Sequence, residues 1–156
     1  MMTKTSIFKS CVAFALFAAG TSFAQMTPVG TWHSIDDKTG EAKAEIQIID
    51  KEGVLSGRVV KSLRNDPNAK KTCEDCKDDR KGQTIIGMEI IRGVKFESSS
   101  EFLWAGGGKI LDPENGKEYT LKMVPQEGGK KLQVRGYIGP FYRTQTWLRS
   151  QSQGQP

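Results

Sequence analysis

The densest cluster of reactive side chains in this sequence is Cys73-Glu74-Asp75-Cys76. Two cysteines at this spacing can close a small disulfide ring in an oxidising compartment. They can act as a redox pair when a helix N-terminus or nearby cations depress a thiol pKa. They can also supply part of a zinc site, which needs about four ligands. Here Glu74, Asp75, Asp78 and Asp79 oppose thiolate formation, and Lys71, Lys77, Arg80 and Lys81 partly offset them. Beyond the leader described below, the remaining zinc donor among Cys and His is the distant His33. A structural disulfide is the leading reading. Redox and metal roles stay behind it as alternatives.

The other candidate motifs weaken on inspection. His33 is the sole histidine. Its neighbour Ser34 points to the opposite face of any strand, so the two form no nucleophile–base pair. Asp112-Pro113-Glu114-Asn115-Gly116 lacks the sixth-position Gly and twelfth-position Glu of a calcium loop, and reads as an Asn-Gly turn. Gly106-Gly107-Gly108-Lys109 misses the phosphate-loop spacing and reads as a bend in a curved sheet. No carboxylate pair is spaced for acid–base work, and no cofactor is expected. Aromatics and arginines are more suggestive. Trp32, Trp104, Tyr119 and Tyr137, with Arg58, Arg135 and Arg143, are the candidate ligand-binding residues. Arg143, Gln145, Trp147 and Arg149 share one face of the last strand, with Thr144, Thr146 and Leu148 on the other, and the sequence leaves open which face is interior. If first and last strands pair, an arginine can stack on Trp32. The plainer reading is that Trp32 and Arg149 plug one end of the fold.

The elements that must hold these residues begin after a leader. Lys4 and Lys9 precede the apolar run Cys11–Ala19, and Ser22-Phe23-Ala24 places small residues at −3 and −1. This is the order of a secretory signal cleaved after Ala24, with an apolar run roughly half the ~20 residues that a membrane span requires. Cleavage removes Cys11, two lysines and no acid, so the formal charge falls from +5 to +3. That is too mild for nucleic acid. The expected product is a soluble domain, residues 25–149, with a disordered polar tail at 150–156 and no transmembrane anchor. The signal implies a periplasmic or secreted location.

Turn signals recur at 36–40, 50–53, 112–116 and 126–129. Between them apolar residues alternate with period two: Ala42, Ala44, Ile46 and Ile48 on one face, then Tyr119, Leu121 and Met123, then Leu132 and Val134 opposite Gln133 and Arg135. The strands predicted are 30–35, 41–49, 54–61, 84–92, 94–98, 101–105 continuing weakly to 111, 117–124 and 130–138, with a ninth at 142–149. Short hairpins imply an all-β, antiparallel up-and-down meander of about eight strands, closed into a barrel to remove exposed edges. An eight-strand interior accepts side chains or one small ligand. The long charged connection 62–82, which carries both cysteines, is predicted to be functional or mobile.

These residues resemble a known family. The resemblance rests on Gly30-x-Trp32, Cys73-x-x-Cys76, Gly87-Met88-Glu89-Ile90-Ile91, Trp104 with Gly107-Gly108-Lys109-Ile110, Asp112-Pro113-Glu114-Asn115-Gly116-Lys117-x-Tyr119, Val134-Arg135-Gly136-Tyr137-Ile138-Gly139 and Arg143-Thr144-Gln145-Thr146-Trp147. It is to an uncharacterised family of secreted bacterial proteins, a domain of unknown function with a lipocalin-like barrel. The chain departs from the pattern in having three glycines at 106–108 where two are usual. The resemblance implies the fold and no catalytic residue. Three functions follow in order. The first is a periplasmic binding module for a small apolar or amphipathic molecule. The second is an envelope interaction protein using the 62–82 loop or the outer barrel face. The third is a thiol redox protein acting through Cys73 and Cys76.

Overall fold

The computed structural model describes residues 26–99 and 101–151. The leader expected at 1–24, Gln25 and the tail residues 152–156 lie outside the described residues. Nine strands follow in order: β1 (Gly30–Ile35), β2 (Ala42–Lys51), β3 (Val54–Ser62), β4 (Glu89–Ser98), β5 (Leu103–Trp104), β6 (Lys109–Asp112), β7 (Lys117–Gln126), β8 (Lys131–Ile138) and β9 (Phe141–Arg149). Each pairs antiparallel with its sequence neighbour except β5 and β6. Those two form one broken stave between β4 and β7. Pairing of β1 with β9 closes the ring, giving the expected eight-stave up-and-down barrel.

Two boundaries differ from the sequence reading. The strand predicted at 84–92 begins only at Glu89, because Gly87 takes φ 91° and turns the chain, leaving Thr84 in a lone bridge to Thr72. The break predicted between 92 and 94 is absent. β4 runs through Gly93, whose φ of 69° is open to glycine without steric cost. The predicted bend at 106–108 does divide its stave. A Cβ on Gly108 would lie 2.6 Å from Val94 Cγ2 and 2.8 Å from the Ala105 carbonyl.

Alternation assigns the faces. Ile46 and Ile48 of β2, Leu55 and Val59 of β3, Leu121 and Met123 of β7, and Leu132 and Val134 of β8 are buried. Each such side chain removed from water contributes roughly 1.5–3 kcal/mol. The barrel has two unlike ends. At one, Met26–Val29 and the β2–β3, β4–β5 and β7–β8 turns surround a solid floor. There the Arg149 guanidinium lies 4.1 Å from the centroid of the buried Trp32 ring. It donates to the carbonyls of Thr27 (2.8 Å), Val29 (2.9 Å) and Gly129. The Trp32 indole N–H donates to the Pro28 carbonyl at 2.7 Å. Gly30, at φ 133°, leaves the space this requires, since a Cβ there would sit 2.5 Å from Arg149 Nη1.

Replacing Arg149 with Met therefore strands several carbonyls and removes the cation–π stack. Urea unfolding should show a loss of about 2–4 kcal/mol. A loss under 0.5 kcal/mol would mean that the plug is decorative.

Candidate binding cavity

At the opposite end the interior opens. A cavity of about 670 Å³ descends from the mouth to Ser34, Ile46, Val59 and Trp147. Its walls include Ala44, Ile85, Ile90, Ile110, Leu111, Tyr119, Val134, Gly136 and Gln145. Below it, Ile48, Leu55, Val94, Leu121, Met123 and Leu132 fill the barrel to the floor. On β9, Phe141, Arg143, Gln145 and Trp147 line the cavity, so the interior face of the last strand is the arginine–tryptophan face.

The 63–88 connection forms one side of the mouth. It folds as a small hairpin: Thr72 bridges Thr84, Cys73 N–H donates to the Gln83 carbonyl, and Ile85 N–H donates to the Lys71 carbonyl. Cys73 and Cys76 are disulfide-bonded and buried. Their ring docks on the β6–β7 turn at Gly116 (φ 67°), where a Cβ would meet the Asp75 carbonyl oxygen at 2.1 Å. Beside it Arg80, only 2% exposed, is held by Asp78, by Glu118 at 2.8 Å and by the Glu89 carbonyl. The connection that the sequence suggested as mobile is thus packed down by its own hydrogen bonds and ion pairs.

Ion pairs join the loops around the mouth. Arg64 bridges Asp36 (2.8 Å) on the β1–β2 turn and Glu114 on the β6–β7 turn, and Lys43 meets Glu114 at 2.8 Å. Lys70 reaches Asp75 and the Glu114 carbonyl, and Arg143 pairs with Asp37. Asp36 is held down to about 2 by the backbone N–H groups of Lys38 and Thr39 and then by Arg64. Asp78 is held down to about 2, chiefly by hydrogen bonding to Arg80. Burial pushes Glu114 up, but Lys43 and Arg64 together bring it below the usual range. Beyond this charged belt the lip is apolar: Ile86, Ile138, Phe141 and Tyr142 are exposed, Phe141 by 73%.

The seven aromatic and arginine candidates separate. Tyr119 and Arg143 line the cavity. Trp32 lies at the opposite, plugged end. Trp104 packs near that end beside Phe96, centroids 4.9 Å apart, and its buried indole N–H has no hydrogen-bond partner among the described residues. Arg58 and Arg135 alternate with the inward Gly57, Val59, Val134 and Gly136, so both project outward. Arg135 stacks on Tyr142 at 4.8 Å and donates to Thr144, while Tyr137 contacts Tyr142 on the same outer face. The structure does not bring these five residues into the cavity. Sequence reasoning missed Ile85, Ile90 and Ser34 as lining residues. The alternation of Ser34 with the inward Trp32 was the available signal.

His33 Nε2 lies 3.1 Å from Glu45 on the outer face. Among the described residues no three His, Cys, Asp or Glu side chains converge to hold a metal. No helix among them is long and apolar enough to cross a membrane.

A closed antiparallel barrel, plugged at one end and opening at the other into a mostly apolar cavity, is a lipocalin-like fold. Residues 30–149 match the family described as "Uncharacterized protein conserved in bacteria (DUF2147)", and the chain belongs to that family. No curated protein matches the sequence. Among solved structures, the chain is similar to protein HP1028 from the human pathogen Helicobacter pylori, described as belonging to the lipocalin family. The identity is 14% and the TM-score 0.67, covering 82% of this chain and 86% of that one. At that identity the likeness speaks for the fold.

The mouth carries a pH dependence. Asp36 and Asp78 have folded pKa values below their ordinary 3.8, so their stabilisation is complete above about 3.8 and is lost as pH falls toward about 2. Thermal melts should show Tm dropping across that window. Asp36→Asn should reduce the drop, and an unchanged slope would show that the belt does not contribute.

Proposed function

We propose that this protein is an exported, non-enzymatic binding module that holds one small apolar or amphipathic molecule in its barrel, in the periplasm or outside the cell. The observation that carries the reading is the cavity. Its volume of about 670 Å³ falls within the roughly 300–1,000 Å³ of small-molecule sites. Its aliphatic walls suit a hydrocarbon part, and the charged belt suits a polar end that remains near water. Proteins rarely leave such a hole in an interior that otherwise packs like an organic crystal. The signal-like order of residues 4–24 and the paired cysteines support export.

An environment-sensitive apolar dye tests this reading. The protein should bind it at one site, with enhanced emission. Ala44→Phe, which projects a ring into the cavity, should weaken binding at least tenfold while the folded β-sheet signal persists. Equal binding by both proteins would place the dye on the outer surface and remove the reading. Fractionation of bacteria expressing the full chain tests export. A shortened chain in the periplasm or medium is expected, and a full-length chain confined to the cytoplasm would contradict it.

A further inference from the structure

The cavity is not uniformly apolar: polar side chains, Ser34 and Gln145 among them, reach into an otherwise aliphatic lining. The wall formed by β2, β3, β4 and the 63–88 connection presents Ala44, Ile46, Val59, Ile85 and Ile90, with Lys43, Ser62 and Thr84 also on it. The opposite wall, formed by β7, β8 and β9, carries Tyr119 and Gln145 among apolar neighbours, with Arg143, paired to Asp37, nearer the mouth. Tyr119 and Gln145 hold donors that the fold does not use.

Gln145 is oriented by its neighbour. The Trp147 indole N–H donates to Gln145 Oε1 at 3.1 Å. An indole nitrogen only donates, so the amide must turn its carbonyl oxygen toward Trp147. Its N–H2 group then faces away from that bond, with no acceptor among the described residues. Trp147 is itself fixed, 2% exposed at the cavity base, so the amide orientation is built into the core. The Tyr119 hydroxyl likewise has no hydrogen-bond partner among the described residues. Its ring lies against Gly136, where a Cβ would come within 3.2 Å of Tyr119 Cβ. Gly136 faces Arg143 across the β8–β9 ladder, and Val134 faces Gln145 in the same ladder. The bare backbone at Gly136 therefore seats the Tyr119 ring against the wall that carries both donors.

We propose that the cargo carries a hydrogen-bond-accepting oxygen, such as a ketone, ester or carboxyl carbonyl, on an otherwise hydrocarbon frame, and that the Gln145 amide receives this oxygen within the cavity. The Tyr119 hydroxyl is the second donor on that wall. This rests on the reading of the barrel as a small-molecule binder and specifies the ligand's chemistry. A pure hydrocarbon would leave the amide N–H2 desolvated and unpaired, which selects against it. A donor-only head group such as an alkylammonium would meet N–H with N–H. Discrimination then comes from the unpaired polar group left behind, a stronger filter than the fit of an apolar wall.

Calorimetric titration with three probes of equal chain length tests the assignment: a straight-chain methyl ketone, the terminal alkene and the primary alkylammonium. The ketone should bind about five- to tenfold more tightly than the alkene, the worth of one hydrogen bond, and the alkylammonium weakest. Gln145→Met keeps the chain volume and removes both amide groups, so the ketone preference should fall below twofold while alkene affinity holds or rises. Tyr119→Phe should reduce the preference by a smaller factor. Gln145→Glu keeps an acceptor for Trp147 and presents no amide donor. It should also abolish the ketone preference at neutral pH, which guards against a Gln145→Met variant that is merely misfolded. Equal affinity of the wild-type protein for ketone and alkene would overturn the role of Gln145 while leaving the binding reading intact. A ketone preference that survives in both Gln145 variants would do the same. Failure of all three probes to bind the wild-type protein would overturn both.

Discussion

The barrel depends on the seam where its first and last strands meet. The β1–β9 ladder is short, with Trp32 opposite Arg149 and His33 opposite Leu148. Side chains make up what the ladder lacks. The Arg149 guanidinium covers Trp32 and gathers the carbonyls of Thr27, Val29 and Gly129, so one residue joins β9, the segment before β1 and the β7–β8 turn. Burial lowers the arginine's pKa, and a guanidinium keeps its charge in proteins. Carbonyl dipoles and an aromatic face help to solvate this partly buried cation. Without this closure the first and last strands would present open edges, and the cavity would have no continuous wall.

The two ends divide the work of the fold. The plugged end is held by close packing around Trp32 and filled by Leu55, Leu121, Met123 and Leu132. The open end cannot use close packing without losing its cavity. It is held instead at the perimeter, where Arg64 and Glu114 join loops distant in sequence and the Cys73–Cys76 ring sits against Gly116. Surface ion pairs contribute little singly. Their arrangement around the rim positions the loops while the centre stays open.

Much of this was legible in the sequence, and what was not has physical causes. Period-two alternation located most strands and assigned Leu132 and Val134 opposite Arg135, because one face of each strand is buried. Gly30-x-Trp32 and Arg149 indicated a plugged end. The glycines misled where they serve different ends: Gly87 stops the strand expected at 84–92, whereas Gly93 is absorbed within β4. The interior face of β9 was ambiguous because Arg143 and Gln145 are polar yet point inward, so hydropathy carried no signal. The candidate site was read less well than the fold. Arg58 and Arg135 suggested a ligand by type, but their alternation with Gly57 and Gly136 turns them outward. The packing of the 63–88 connection rests on contacts such as Arg80 with Glu118 and Arg64 with Asp36, which no local pattern encodes.

If the open half of the barrel is a binding cavity, a ligand must contact its inward methyl groups. The most direct measurement is isotope-filtered NMR of the protein mixed with a long-chain methyl ketone. Intermolecular NOEs are expected from the ligand's methylene protons to the methyl groups of Ile46, Val59, Ile90 and Val134. NOEs confined to outer-face residues such as Leu148, or none at a saturating concentration, would contradict it.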